Sequence, residues 1–225
     1  AESILRFHHL YQPASELAGD FFEVLPLGGN KVGFLVCDVM GHGVRSALVV
    51  AMLRGLVEKQ EKVVADAGEF LTGLNEGLCH LLEKSGVSLF ATAVCGVVDL
   101  MEETIQLSLA GHPSPIAVFR DGVRQLSPPA TAKGPALGMI EGAIYGAVTV
   151  PLAGLLRIIA FTDGIVEAAN EADEEYGVQR MVEKIEQGGR LPPLFKNLVK
   201  EALAHSGDEV FDDDVCLLGL EISTL

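Results

Sequence analysis

Short apolar or alternating stretches mark strands over residues 5–11, 21–25, 31–37, 89–98, 104–110, 116–119, 123–126, 143–150, 155–161 and 215–222. Leu27-Gly28-Gly29-Asn30 is a turn, so the second and third stretches form a hairpin, and Arg120-Asp121-Gly122 marks another. Gly41-His42-Gly43 breaks the chain before a helix. Val44, Ala47, Leu48, Ala51, Met52, Gly55 and Leu56 follow helical spacing and are expected to share its core-facing side. Asp66, with Glu69 three residues later, resembles a capping box for a second helix, whose buried side is Phe70, Leu71, Leu74, Leu78, Leu81 and Leu82. Further helices are expected over 165–169, 178–187 and 194–204, and the Pro- and Ala-rich stretch 127–137 reads as loop. Strands come in runs and helices in pairs, which points to an α+β fold with antiparallel sheets covered by helices. Neither a repeat nor a dividing linker is visible, so residues 1–225 read as a single domain.

With 225 residues, 49% of them hydrophobic, the chain can bury a substantial core. Its net charge of −15 repels phosphate backbones and anionic lipid, which argues against nucleic acid and membrane-surface partners. Apolar runs are too short to insert in a membrane and no signal peptide is seen, so a cytoplasmic location is expected. Cys37, Cys79, Cys95 and Cys216 have no zinc spacing, and three of them lie in apolar runs. They read as reduced structural thiols. The chain begins at Ala1 without Met, so it is expected to be the output part, at the C-terminal end, of a longer signalling protein.

Candidate chemistry lies in four acidic stretches: Gly19-Asp20, Asp38-Val39-Met40-Gly41-His42-Gly43, Thr162-Asp163-Gly164 and Asp212-Asp213-Asp214. Each sits at the edge of a strand-like run. Aspartate beside glycine is a common turn residue, so none of these counts alone. Carboxylates at strand ends can converge when the strands share a sheet, and oxygen-only ligand sets suit Mg²⁺ or Mn²⁺.

Five pieces in order make the pattern specific: Ala18-Gly19-Asp20-Phe21-Phe22, the Asp38–Gly43 stretch, Ala110-Gly111-His112-Pro113, Phe161-Thr162-Asp163-Gly164-Ile165-Val166-Glu167-Ala168 and Asp212-Asp213-Asp214-Val215. On these the chain resembles the PPM family of metal-dependent protein serine/threonine phosphatases, in its bacterial branch typified by the stage II sporulation protein E phosphatase. The resemblance implies an αββα sandwich of two antiparallel sheets flanked by helices. It implies two Mn²⁺ or Mg²⁺ ions, with Asp38 bridging them and Asp163 and Asp213 completing one site. The Val39 carbonyl would bind the second ion and Asp20 would help hold it. Asp38 and Asp163 are the catalytic candidates. The choice of Asp213 over Asp212 and Asp214 rests on counting back from Val215.

Two departures from the family pattern stand out. Met40 occupies the position aligned with the general-acid histidine of eukaryotic relatives, with His42 two residues later. Arg6 is a candidate for the phosphate-binding arginine by position only. His112 reads as structural, and His8 and His9 carry no metal spacing. The substrate implied is a phosphorylated regulatory protein, an anti-sigma-factor antagonist in a stress-response partner-switching pathway. The apolar helix faces are core or, in part, the surface of a homodimer. The alternatives are a non-catalytic partner-binding module of the same fold and a hydrolase of small phosphate esters.

Overall fold

The computed structural model describes residues 3–60, 66–85 and 89–224. In chain order the strands and helices are β1 (Ser3–Gln12), β2 (Asp20–Pro26), β3 (Lys31–Val39), α1 (Val44–Gln60), α2 (Ala67–Ser85), β4 (Ala91–Asp99), β5 (Thr104–Ala110), β6 (Ile116–Phe119), β7 (Gly122–Gln125), β8 (Lys133–Gly134), β9 (Val148–Pro151), β10 (Leu155–Phe161), α3 (Gly177–Glu186), α4 (Leu191–Ser206) and β11 (Val215–Thr224). They form two units, residues 17–114 with 127–153, and residues 1–16 with 115–126 and 154–225.

In the first unit the Gly28-Gly29-Asn30 turn closes the expected hairpin, with Asp20 opposite Asp38 at one end and Pro26 opposite Val32 at the other. The sheet runs β2-β3-β4-β5-β8, and β9 also pairs with β5. Side chains alternate across the pleat. Phe21, Leu35, Cys37, Val39, Ala91, Ala93 and Cys95 thus share one face, packed with Val49, Leu53 and Val57 of α1 and Leu71, Leu74 and Leu78 of α2. Asp38 and its cross-strand neighbours Asp20 and Thr92 take the other face. At the start of α2, Asp66 Oδ1 accepts the N–H groups of Gly68 (2.8 Å) and Glu69 (3.0 Å), which makes it the N-cap.

The second unit is an antiparallel sheet in the order β1-β11-β10-β6-β7. Ile159, Phe161, Val215 and Leu217 pack against Met181 and Ile185 of α3 and against Leu191, Phe195 and Leu198 of α4. Pro192 and Pro193 fit the first turn of α4, where their missing N–H groups would have no intrahelical acceptor. Gly207, at φ 84°, ends that helix by donating its N–H to Leu203 O.

Four expectations need correction. The buried side of α1 is Ser46, Val49, Leu53 and Val57, while Val44 (65%) and Leu48 (56%) are exposed. Apolar residues lie almost all round this helix, so spacing could not choose a face. Residues 165–169 are not a helix: a 3₁₀ turn, Asp163–Ile165, follows β10, and Ala169 then bridges Glu175. The stretch 127–137 contains a 3₁₀ turn at Ala130–Ala132 and the short β8. Residues 143–147 are not strand, because Tyr145 is pinned there: its N–H donates to Thr72 Oγ1 (3.0 Å) and its hydroxyl to Pro135 O (2.9 Å). All four cysteines are free thiols. No helix among the described residues is long and apolar enough to cross a membrane.

Candidate active site

Asp20 is 5% exposed and Asp38 half-buried. Directly opposed residues of an antiparallel pair point to the same side with Cβ atoms about 4.5–5.5 Å apart. Two carboxylates so placed destabilise the sheet unless a cation joins them. The field reaches the next residue: burial first, then Asp38 and Asp20, pushes the Cys37 thiol well above its usual range. Val39 ends β3 with its N–H donating to Gly19 O (3.1 Å). A Cβ at Gly19 would lie 2.6 Å from Val39 O and 2.9 Å from Gly41 O, so only glycine lets this backbone approach the Val39 carbonyl. Ser46 Oγ donates to Met40 O (3.2 Å), which fastens the loop to the first turn of α1.

Thr92 continues the row, opposite Asp38 on β4. His112, 6% exposed, follows Gly111 just past β5, and its Nδ1 lies 2.7 Å from Thr92 Oγ1. The row across this end of the sheet is therefore Asp20, Asp38, Thr92, with His112 behind Thr92.

In the other unit, Asp163 opens the 3₁₀ turn at the end of β10, and its carbonyl accepts the N–H groups of Val166 (2.8 Å) and Glu167 (2.9 Å). Burial and then the charge of Asp213 hold its carboxyl above the ordinary range. Thr162 ties β10 to β11: its N–H donates to Cys216 O (3.1 Å) and its hydroxyl accepts Cys216 N–H (2.9 Å). At Gly164 a Cβ would sit 2.2 Å from Asp214 O, so this glycine admits the second acidic stretch.

The triple aspartate divides by role. Asp214 is buried and accepts Ala14 N–H (2.8 Å), a structural fastening. Asp213 is exposed, accepts Asp214 N–H (2.8 Å), and is the one whose charge reaches Asp163. Asp212 is exposed beside it.

The sequence assigns no role to Glu167, which lies in the Asp163 motif. It stands four residues after Asp163, and burial followed by Asp163, Glu175 and Asp213 raises its carboxyl as well. That spacing, which returns a side chain to the same side of a helical turn, was the available signal. A cleft of about 250 Å³ opens here, with Glu167, Phe211, Asp212 and Asp213 among its walls.

Met40 and His42 are both exposed. Arg6 lies in β1 opposite Glu221, six positions before Gln12, which pairs with Val215. At about 3.4 Å per residue, that is roughly 20 Å along the strand from the acidic end. His8 Nε2 pairs with Glu221 Oε2 (3.2 Å), and Arg157 holds the other carboxylate oxygen, Oε1 (2.8 Å).

Within each unit the carboxylates come in pairs. Among the described residues no group of three or more His, Cys, Asp or Glu forms a ready-made metal cage. Two carboxylates facing each other across a hairpin, beside a backbone carbonyl that a glycine approaches closely, nevertheless fit a hard divalent cation completed by water.

Comparison with known proteins places the chain. The family model "Stage II sporulation protein E (SpoIIE)" matches residues 28–223. Protein IcfG of Synechocystis is 21% identical, the match covering 94% of this chain and 37% of that protein. The phosphoserine phosphatase RsbP of Bacillus subtilis is 26% identical over 70% of this chain and 38% of its own length. The chain thus spans under two-fifths of these curated relatives. Among solved structures, the SiaA-PP2C domain of Pseudomonas aeruginosa superposes with a TM-score of 0.82 at 23% identity, covering 96% of this chain and 85% of that one. This bears out the α+β class expected from the order of strands and helices, and the sandwich that the family resemblance implies. The chain belongs to the stage II sporulation protein E family, and its fold is that of a PP2C phosphatase domain.

Proposed function

We propose that this domain hydrolyses phosphoserine or phosphothreonine on a regulatory protein, with two Mn²⁺ or Mg²⁺ ions held by Asp20, Asp38, the Val39 carbonyl, Asp163 and Asp213. The observation that carries the reading is the in-register pair Asp20 and Asp38, set beside the Val39 carbonyl, against which Gly19 packs closely. Bound divalent cations would neutralise the phosphate monoester and lower the pKa of water toward about 7. The chain's part is placement. Asp38 and Val39 are the last two residues of a buried strand, and Thr162 anchors Asp163 beside Asp213. A cation bound at Asp163 would favour its ionised form, against the burial and the Asp213 charge that raise its carboxyl. Hydrolysis by water needs no phosphorylated side chain, so no nucleophilic serine or cysteine is required.

The substrate we infer is a phosphorylated anti-sigma-factor antagonist in a partner-switching pathway. Support comes from the family and from the phosphoserine phosphatase RsbP, which matches most of this chain. The test incubates the protein with Mn²⁺ and a phosphorylated antagonist, with p-nitrophenyl phosphate in parallel, and follows phosphate release. We expect faster release from the phosphoprotein, and loss of activity in Asp38→Ala. Asp38→Ala retaining more than about a tenth of the rate, only ~1.4 kcal/mol of barrier, would remove Asp38 from the site. Metal binding with no turnover on either substrate would favour the non-catalytic module.

A further inference from the structure

We propose that His112 is a positioning residue for Asp38, acting through the hydroxyl of Thr92. The inference rests on the metal-holding role proposed above for Asp38. It starts from the register. Asp20, Asp38 and Thr92 are consecutive neighbours across β2, β3 and β4, so their side chains emerge on one face. Thr92 is thereby the polar neighbour of Asp38 on the side away from Asp20.

A threonine hydroxyl has one proton to give and two lone pairs. Toward an ionised carboxylate, only donation is useful. His112 Nδ1, 2.7 Å from Thr92 Oγ1, decides whether that proton is available. When Nδ1 carries hydrogen it donates to Oγ1, and the hydroxyl proton turns to the Asp38 carboxylate. When Nδ1 is bare it takes the hydroxyl proton, and Thr92 presents only lone pairs to a carboxylate. The carboxylates of Asp20 and Asp38, in the same cross-strand row as Thr92, favour the arrangement with proton density directed at them. His112 is built to hold this pose. It is buried, and it follows Gly111, whose left-handed turn (φ 65°) is fixed by donation of its N–H to Gly134 O (2.9 Å). The result is a relay from imidazole to hydroxyl to carboxylate that fixes which Asp38 oxygen faces a cation. Outer partners of metal ligands typically matter by about 10–100-fold in affinity.

The test measures Mn²⁺ affinity by titration calorimetry on the protein carrying this domain, with metal-free melting temperature recorded for every variant. His112→Ala and Thr92→Val should each weaken Mn²⁺ binding about 10–100-fold. His112→Asn, whose amide N–H can stand in for Nδ1–H, and Thr92→Ser, which keeps the hydroxyl, should recover most of the affinity. The double variant His112→Ala/Thr92→Val should bind no worse than the weaker single one, because both break the same relay. Thr92→Val keeps the shape of the side chain, so it carries the test if His112→Ala folds poorly. Unchanged affinity in Thr92→Val, or losses that multiply in the double variant, would overturn the relay while leaving the phosphatase reading intact. A wild-type protein that binds no Mn²⁺ would overturn both.

Discussion

Asp38→Asn should make the metal-free domain more stable and the metal-loaded domain less so. Asp38 faces Asp20 across the β2–β3 hairpin, and Asp20 is almost fully buried. A separation of about 5 Å and an effective dielectric near 20 give about 3 kcal/mol of repulsion when both are ionised. Asp38 is half-exposed, so solvent screening brings the recoverable part to about 1–3 kcal/mol. For a domain of this size each kcal/mol moves the midpoint by about 2–4 °C. In chelator the variant should therefore melt on the order of 2–12 °C above wild type. With Mn²⁺ at 100 times Kd, wild type gains about 2.7 kcal/mol per site, and the variant, with one ligand charge gone, gains much less. The order of the two melting curves should thus invert. Scanning calorimetry of both proteins in chelator and in millimolar Mn²⁺ reads all four midpoints. If Asp38→Asn melts below wild type in chelator, the opposed pair carries no repulsion. If Mn²⁺ shifts both proteins equally, Asp38 is not a ligand.

Other outcomes follow from the same geometry. Because the folded-state pKa of Asp163 is raised, the folded protein holds a proton that the unfolded chain has released, so metal-free stability falls as pH rises from the ordinary carboxylate value through the raised one. Asp163→Asn should flatten that slope in melts made in chelator at and above the ordinary carboxylate value of about 4, and an unchanged slope would place the effect elsewhere. Gly19→Ala drives a Cβ to within 2.6 Å of Val39 O, which should cost about 1–3 kcal/mol and weaken Mn²⁺ binding, read by melting and calorimetry. His42→Ala should reduce phosphate release less than Asp163→Ala does; equal losses with intact metal binding would make His42 catalytic. Asp66→Ala removes the N-cap of α2 and should cost about 1 kcal/mol with no change in turnover, since the cap lies away from the acidic row.

The strands, the two hairpins and the α+β class were legible because alternation and turn chemistry are local properties of the chain. The candidate ligands were legible for a related reason: acidic residues beside glycine at strand ends are unusual as an ordered set, and their order carried the family resemblance. Where local signals were degenerate, the reading failed. In α1 apolar residues surround the axis, so only packing on β3 and β4 could select Val49, Leu53 and Val57 over Val44 and Leu48. Residues 143–147 look like a strand until Tyr145 finds Pro135 and Thr72, contacts that no local window contains.

The sequence by itself determined which residue types are available for chemistry and at which strand ends they stand. Only the tertiary structure decided their partners. Strand register set Asp20 against Asp38 and Thr92 beside it. Folding of β1 against β11 gave Asp214 to Ala14 and left Asp213 facing Asp163. Pairing of β4 with β5 brought His112 against Thr92, 20 positions away along the chain. The physical reason is that a carboxylate's role depends on the charges and donors within a few ångströms of it, and those neighbours come from distant segments.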